Sequence, residues 1–298
     1  TNTLYITIVR QGMNADLSNQ KSFASAIYPS ILKKSHTQFF EKASIELTMV
    51  CNNIISRLSN FGARKMNLLR TSKGYLSEPL FFYYNIIHLS QKRTPLPVRD
   101  LSEYLSSCRM LMHFNSIEIK NDHDTEQRFA ALFSVKEQAS LSHDALDQLL
   151  QLGTQFIISQ AIIFVPKEEA LEKITEINKV FKSSKADHLS EISGANIMIG
   201  ADTGKVSDYC KEQTTICVLT DTPEFFQKRL NEVVHTMHEL GIVVVREDFF
   251  MPKLFWSQLP GNFKYLARFN YKCHKNIGEF TCIHSLKSGN YKGSKWGP

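Results

Sequence analysis

Hydrophobic and polar positions change period several times along the chain, and each change marks an element. Residues 3–10 alternate and are β-branched, which predicts a strand. Residues 15–34 read as partly helical, ending near Pro29. Between Phe39 and Leu58, Ile45, Met49, Ile54 and Leu58 recur at helical spacing. Gly62 then suits the end of that helix, and a short strand is predicted over Ala63–Leu69. Glu78–Ser90 predicts an aromatic helix with Pro79 in its first turn. Thr94-Pro95-Leu96-Pro97 breaks the chain, and Asp100 is placed to cap a short helix running to Cys108. Phe114–Lys120 and Arg128–Lys136 read as paired strands around the polar turn at 121–124.

The pattern restarts after residue 140. Asp144–Leu152 predicts a helix and Phe156–Val165 a buried strand. Lys167–Phe181 predicts an amphipathic helix with Leu171, Ile174, Ile177 and Phe181 on one face. A polar stretch, Lys182–Asp187, leads into a helical reading through about Gln213. Strand Thr214–Thr220, helix Pro223–Leu240, Gly241 and strand Ile242–Arg246 follow. Residues 156–246 thus resemble a split β-α-β layout, and strand, helix, glycine, strand recurs weakly at 3–69 and 214–246. The expected architecture is α+β: two lobes of mainly antiparallel sheet, helices on one face, with ferredoxin-like character in the second. The expected divisions are 1–140, 141–250 and a junction at 251–298.

Charge sharpens the last division. Residues 251–298 hold eight Lys/Arg and one acid, Glu279, whereas the other 250 residues hold 27 basic and 28 acidic groups. The whole excess of +6 therefore belongs to this junction. Its cations (Lys253, Lys264, Arg268, Lys272, Lys275, Lys287, Lys292, Lys295) interleave with Phe255, Trp256, Phe263, Tyr265, Phe269, Tyr271, Phe280, Tyr291 and Trp296. That mixture suits single-stranded nucleic acid, anionic lipid headgroups, or aromatic packing against a neighbouring domain. The apolar runs at Leu80–Leu89 and Phe156–Val165 fall far short of the roughly 20 residues of a membrane-spanning helix. The six cysteines (51, 108, 210, 217, 273 and 282) form no C-x-x-C pair and read as reduced thiols. The chain begins at Thr1 without methionine or a signal-peptide pattern, and segments beyond both ends are expected.

No arrangement meets the demands of catalysis. Gly200-Ala201-Asp202-Thr203-Gly204-Lys205 has three residues between its glycines, and Val206 follows the lysine. A phosphate-binding loop needs four, then a Ser or Thr to reach magnesium. His235 and His238 stand at i, i+3 with Glu239 outside them, whereas zinc proteases space their histidines at i, i+4 with the acid between. Cys273-His274 and Cys282-x-His284 offer zinc-ligand types at poor spacing, and two strands with alternating partners explain them better. No catalytic, cofactor-binding or metal site is assigned.

One stretch carries more than its composition. LFWSQLPGN, Leu254–Asn262, places an apolar anchor before a sharp Pro-Gly-Asn turn. Arg268-Phe269-Asn270 follows, and Lys295-Trp296-Gly297-Pro298 closes the chain. This string resembles the junction of the VirB-type (CagE/TrbE/VirB) ATPases of type IV secretion and conjugation, through Phe255, Trp256, Leu259, Pro260, Gly261, Asn262, Trp296 and Gly297. Weaker matches are Leu4–Arg10, Asn60–Arg64, Ser77-Glu78, Phe133–Glu137, Leu146–Leu150 and Gly241–Glu247. After Phe269 the chain departs from the family, with Tyr271-Lys272-Cys273-His274-Lys275 where a Ser/Asn-rich segment is usual. The resemblance implies an N-terminal docking and scaffolding region without a nucleotide site. It further implies a downstream RecA-like domain using ATP and magnesium, pilus assembly and export, and a hexamer-like ring. The implied partners are that domain and inner-membrane subunits of the channel, at the cytoplasmic face of the inner membrane. The alternatives are a nucleic-acid-binding domain using the basic tail and a free-standing enzyme. The junction implies that Phe255 and Trp256 anchor in the core of the second lobe, with Trp296 at the ATPase boundary.

Overall fold

The computed structural model describes residues 3–9, 29–72, 74–90, 96, 100–121, 127–138, 145–183, 209–273 and 277–278. The architecture is α+β, as the periodicities predict. Residues 1–68 and 69–298 form two compact units.

In the first unit, α1 (Pro29–Arg57) is the dominant element. A 3-10 turn, Ser59–Phe61, follows, and Gly62 at φ 70° donates its N–H to the Ser59 carbonyl at 3.0 Å. A left-handed residue here costs glycine nothing. Two expectations fail: residues 3–9 form no strand, and the strand predicted over Ala63–Leu69 begins only at Leu68. The helix predicted over Phe39–Leu58 is present, with Ile45 and Met49 of its stripe 62% and 61% exposed. Period alone reports which face is apolar, and burial needs a partner surface. The helix predicted within 15–34 lies outside the described residues up to Tyr28.

In the second unit, β1 (Leu68–Thr71) pairs with β2 (Gly74–Ser77). The Ser77 hydroxyl caps α2 (Glu78–His88) by accepting the Leu80 N–H at 3.3 Å, with Pro79 in the first turn. Asp100 likewise caps α3 (Leu101–Leu105). That helix stops short of Cys108 because Cys108–Met112 is a strand, β3, which the helical reading concealed.

Among the described residues seven strands form one sheet. β3, β4 (Ile117–Asn121), β5 (Gln127–Gln138), β7 (Tyr209–Thr220) and β6 (Gln155–Val165) lie in that order. β8 (Ile242–Arg246) joins the second half of β5, and β9 (Asn270–Cys273) joins the first half of β7. The six pairings are antiparallel. β5 is hydrogen-bonded to β7 and β8, so the sheet is continuous across the expected division at 140/141.

Period-2 alternation sends side chains to two cores. Ala131, Phe133, Val135, Ile216 and Val218 meet Leu149 of α4 (Ala145–Leu150) and Leu230, Val233 and Met237 of α6 (Pro223–Glu239). Ala130, Leu132, Cys217 and Leu219 meet Leu89 and the residues Met251, Leu254 and Phe255 of α7 (Met251–Ser257). The expectation of helices on one face is thus corrected. β5 and β7 bury both sides, so both faces need cover. Gly241, at φ 71°, turns the chain from α6 into β8.

Three further readings change. β6 is not a buried strand: each of its residues is partly or fully exposed, because among the described residues it has a neighbour on one edge only. Residues 209–213, read as helical, begin β7. Among the described side chains of α5 (Lys167–Ser183) Ala170 is the buried contact, while Leu171 is 37% exposed. The side chains of Ile174, Ile177 and Phe181 lie outside the described residues.

Candidate functional site

The segment from β8 to β9 contains the LPGN string. Met251, Leu254 and Phe255 recur at i, i+3 and i+4, so one face of α7 enters the second core; Phe255 is 1% exposed. Trp256 points half out of that core and meets the Phe255 ring edge-to-face, centroids 5.3 Å apart. The apolar anchor is therefore a helix, and Phe255 is its deeper member.

LPGN is the end of that helix. The Leu259 N–H donates to the Trp256 carbonyl at 3.3 Å. The Asn262 side-chain N–H₂ donates to the same carbonyl at 2.9 Å. Pro260 cannot continue a helix, and Gly261 reverses the chain at φ 81°. Each residue type in the string has a separate mechanical reason.

Past the turn, the backbone is fastened to β7. The Gln213 carboxamide oxygen accepts the Ala267 and Arg268 N–H groups, both at 2.8 Å. Its nitrogen donates to the Ser257 hydroxyl at 2.9 Å, so one side chain ties together both sides of the LPGN turn. Gln213 is 2% exposed. The Arg268 guanidinium forks onto the Glu247 carboxylate through Nε and Nη2, each at 3.1 Å. It also lies 4.6 Å over the Phe250 ring. Ser134 donates a short hydrogen bond to the same carboxylate. Glu247 is 2% exposed and the Arg268 side chain 45%, so the carboxylate is enclosed while its partner reaches solvent.

A second buried carboxylate sits on the opposite face. Glu212, 1% exposed, pairs with the Lys272 ammonium. It also accepts from Gln160, and from the Thr214 hydroxyl at 3.0 Å. Lys272 additionally donates to Gln138 at 2.9 Å. Asn270 donates to the Val135 and Lys136 carbonyls, both at 3.3 Å, linking β9 to β5. Burying a charge costs several kcal/mol unless it is paired and hydrogen-bonded, and both carboxylates meet that condition.

This arrangement holds a chain in place; the sequence reading did not find it. Glu247 and Arg268 stand 21 positions apart, and no local pattern joins them. The signal was present in the run Glu212-Gln213-Thr214-Thr215, a polar interruption inside a strand.

The other candidates are dispersed. His235 contacts Glu239 at 3.5 Å with both side chains mostly exposed, and His238 is exposed on the same helix. Among the described residues no three His, Cys, Asp or Glu side chains cluster to hold a metal. Cys273 lies opposite Tyr209 in the β7–β9 register. Its side chain, with His274, Cys282, His284, Gly200–Lys205, Trp296 and Gly297, lies outside the described residues. No described helix is long and apolar enough to cross a membrane.

Comparison with known proteins agrees with the string. The profile of the CagE, TrbE, VirB family, a component of the type IV transporter system, matches residues 66–268. The chain is 24% identical over 276 residues to the type IV secretion system protein virB4 of Bartonella henselae, covering 89% of this chain and 34% of that protein. It is 22% identical over 311 residues to that of Brucella suis, covering 100% and 36%. It is 22% identical over 295 residues to protein virB4 of Agrobacterium tumefaciens, covering 94% and 37%. The chain thus spans about a third of the length of these relatives.

Proposed function

The chain belongs to the CagE, TrbE, VirB family of type IV transporter components, and from that premise we propose that it is the docking and scaffolding region of a type IV secretion ATPase. The full-length protein hydrolyses ATP with magnesium in a RecA-like domain beyond these residues and energises pilus assembly and translocation. It works at the cytoplasmic face of the inner membrane, against the membrane subunits of the channel and within a hexameric assembly. The relatives, type IV secretion system proteins virB4, support the secretion part of this reading.

One observation carries the scaffolding role. Arg268 and Lys272, cations of the basic junction, are engaged by the buried Glu247 and Glu212. Two of the aromatics behave likewise, with Phe255 buried in the second core and Tyr271 packed against a third cluster with Ala170 and Tyr209. Groups turned inward in this way fix the path of the junction. They are not displayed for phosphates and bases, as the nucleic-acid alternative requires.

Two measurements test it together. The 298-residue chain should co-purify with detergent-solubilised inner-membrane subunits of the channel, and calorimetry should show no saturable binding of magnesium-ATP. Micromolar ATP binding abolished by Lys205→Ala would place the nucleotide site inside this chain and overturn the reading. Tight binding of a single-stranded oligonucleotide that weakens steeply with salt, without subunit capture, would favour the alternative.

A further inference from the structure

Strand β6 is an open edge of the sheet among the described residues, as β3 is at the other end: it pairs with β7 along its whole length and with nothing on its other side. Open edges are normally blunted by a lysine, a proline, a bulge or shortness. Gln155–Val165 has none of these: it is 11 residues long, uncharged and free of proline, and its pairing to β7 runs without a register shift. Ile162 and Phe164 stand 37% and 78% exposed on it.

Its sequence carries a second property. Residues 156–164 read Phe-Ile-Ile-Ser-Gln-Ala-Ile-Ile-Phe, which is nearly the same backwards. Lay the strand antiparallel against itself with Gln160 at the centre. Phe156 then faces Phe164, Ile157 faces Ile163, Ile158 faces Ile162, and Ser159 faces Ala161. Opposed residues in an antiparallel pair share a face of the sheet. Phe156 and Ile158 already pack against the first core, so the exposed Phe164 and Ile162 of one copy would extend that core in the other.

We propose that the β6 edge is the dimer contact of this region, a two-fold antiparallel β6–β6 pair centred on Gln160 that joins two sheets into one. The occupant is a second copy of this chain because the edge is its own complement in both shape and lack of charge. A two-fold contact uses the same edge on both copies, so it closes at two and leaves neither β6 edge open. This inference stands apart from the secretion reading.

The test uses the 298-residue chain. Sedimentation should give a dimer, and Phe164→Lys should weaken its dissociation constant at least tenfold. The melting temperature of the monomeric unit should stay unchanged, since Phe164 is 78% exposed. Register is tested separately. The Ser159→Cys/Ala161→Cys double variant should form a covalent dimer on mild oxidation, because each residue faces the other across the axis. Each single variant should cross-link far less. Hydrogen exchange should show the β6 amides protected in the parent dimer and exposed in Phe164→Lys. A monomeric parent at tens of micromolar, a dimer indifferent to Phe164→Lys, or β6 amides protected in a monomer by another segment of the chain would each overturn the proposal.

Discussion

The two halves of β7 are equally buried and chemically opposite. Ile216, Cys217 and Val218 are 0% exposed between two hydrophobic cores. Glu212, Gln213, Thr214 and Thr215 are 1–2% exposed, yet their surroundings are Lys272, Gln160, Ser257 and the backbone of Ala267 and Arg268. The apolar half gains from leaving water without regard to direction. The polar half must satisfy each donor and acceptor geometrically, or burial becomes a penalty. Only the second arrangement can dictate which segment crosses it and in what register. The half of β7 that receives β9 is the polar one.

The largest expected effect removes one ion from the polar half. Lys272→Met leaves the 1% exposed Glu212 carboxylate without its cation and should destabilise by about 3–5 kcal/mol. Ile216→Ala, in the apolar half, should cost about as much, roughly 2–5 kcal/mol. The halves separate on adding a second change. Glu212→Gln keeps the acceptor for Gln160 and Thr214 while removing the charge, so Glu212→Gln/Lys272→Met should recover most of the loss in chemical denaturation. If the double variant is as weak as Lys272→Met, the stranded charge is not the cause and the contrast fails.

A smaller effect is expected at Gly261. The turn at φ 81° delivers Arg268 and Lys272 to the polar half. A β-branched residue there pays about 1–2 kcal/mol for left-handed backbone. Gly261→Val should therefore raise hydrogen exchange at residues 211–215 before it does so at 216–219. Uniform loss of protection along β7 would mean that its two halves are one cooperative unit.

The contrast also explains what was legible in the sequence. Elements whose burial is apolar announced themselves: α2 with Ser77 and Pro79, α6 with Leu230, Val233 and Met237, and β8. The pairing of β4 with β5 was visible as two runs around a polar turn. Residues 209–213 of β7 read as helix because a strand shows itself by hydrophobic alternation, and Lys211-Glu212-Gln213 has none. The partners of Gln213 lie 44 to 55 positions away along the chain, as with Ser257 and Arg268, and no local period carries that information. The LPGN turn was legible because proline, glycine and asparagine act locally. The clamp that positions it was not, because it is tertiary.

The smallest expected effect tests the apolar half through its single titratable group. Cys217 is completely enclosed, and burial pushes its thiol up from 9.0 to about 12. A group whose folded value is raised contributes stability that is fully present below its unfolded value. That contribution is lost as pH rises towards the folded one, because the unfolded thiol ionises first. The window here runs from about pH 9 to pH 12. One unit into it, at pH 10, the loss should be about 1.4 kcal/mol. Cys217→Val keeps an apolar side chain of similar size and removes the ionisation. The difference between parent and variant stability, measured by denaturant unfolding, should therefore shift in the variant's favour by that amount between pH 7 and pH 10, while other titrating groups cancel. Iodoacetamide at pH 8 should also leave Cys217 unmodified in the native protein and modify it once unfolded, because the thiolate is the reactive form. A native Cys217 that is alkylated as fast as the half-exposed Cys51 would mean that the apolar half opens readily. The two halves of β7 would then differ in dynamics and not only in chemistry.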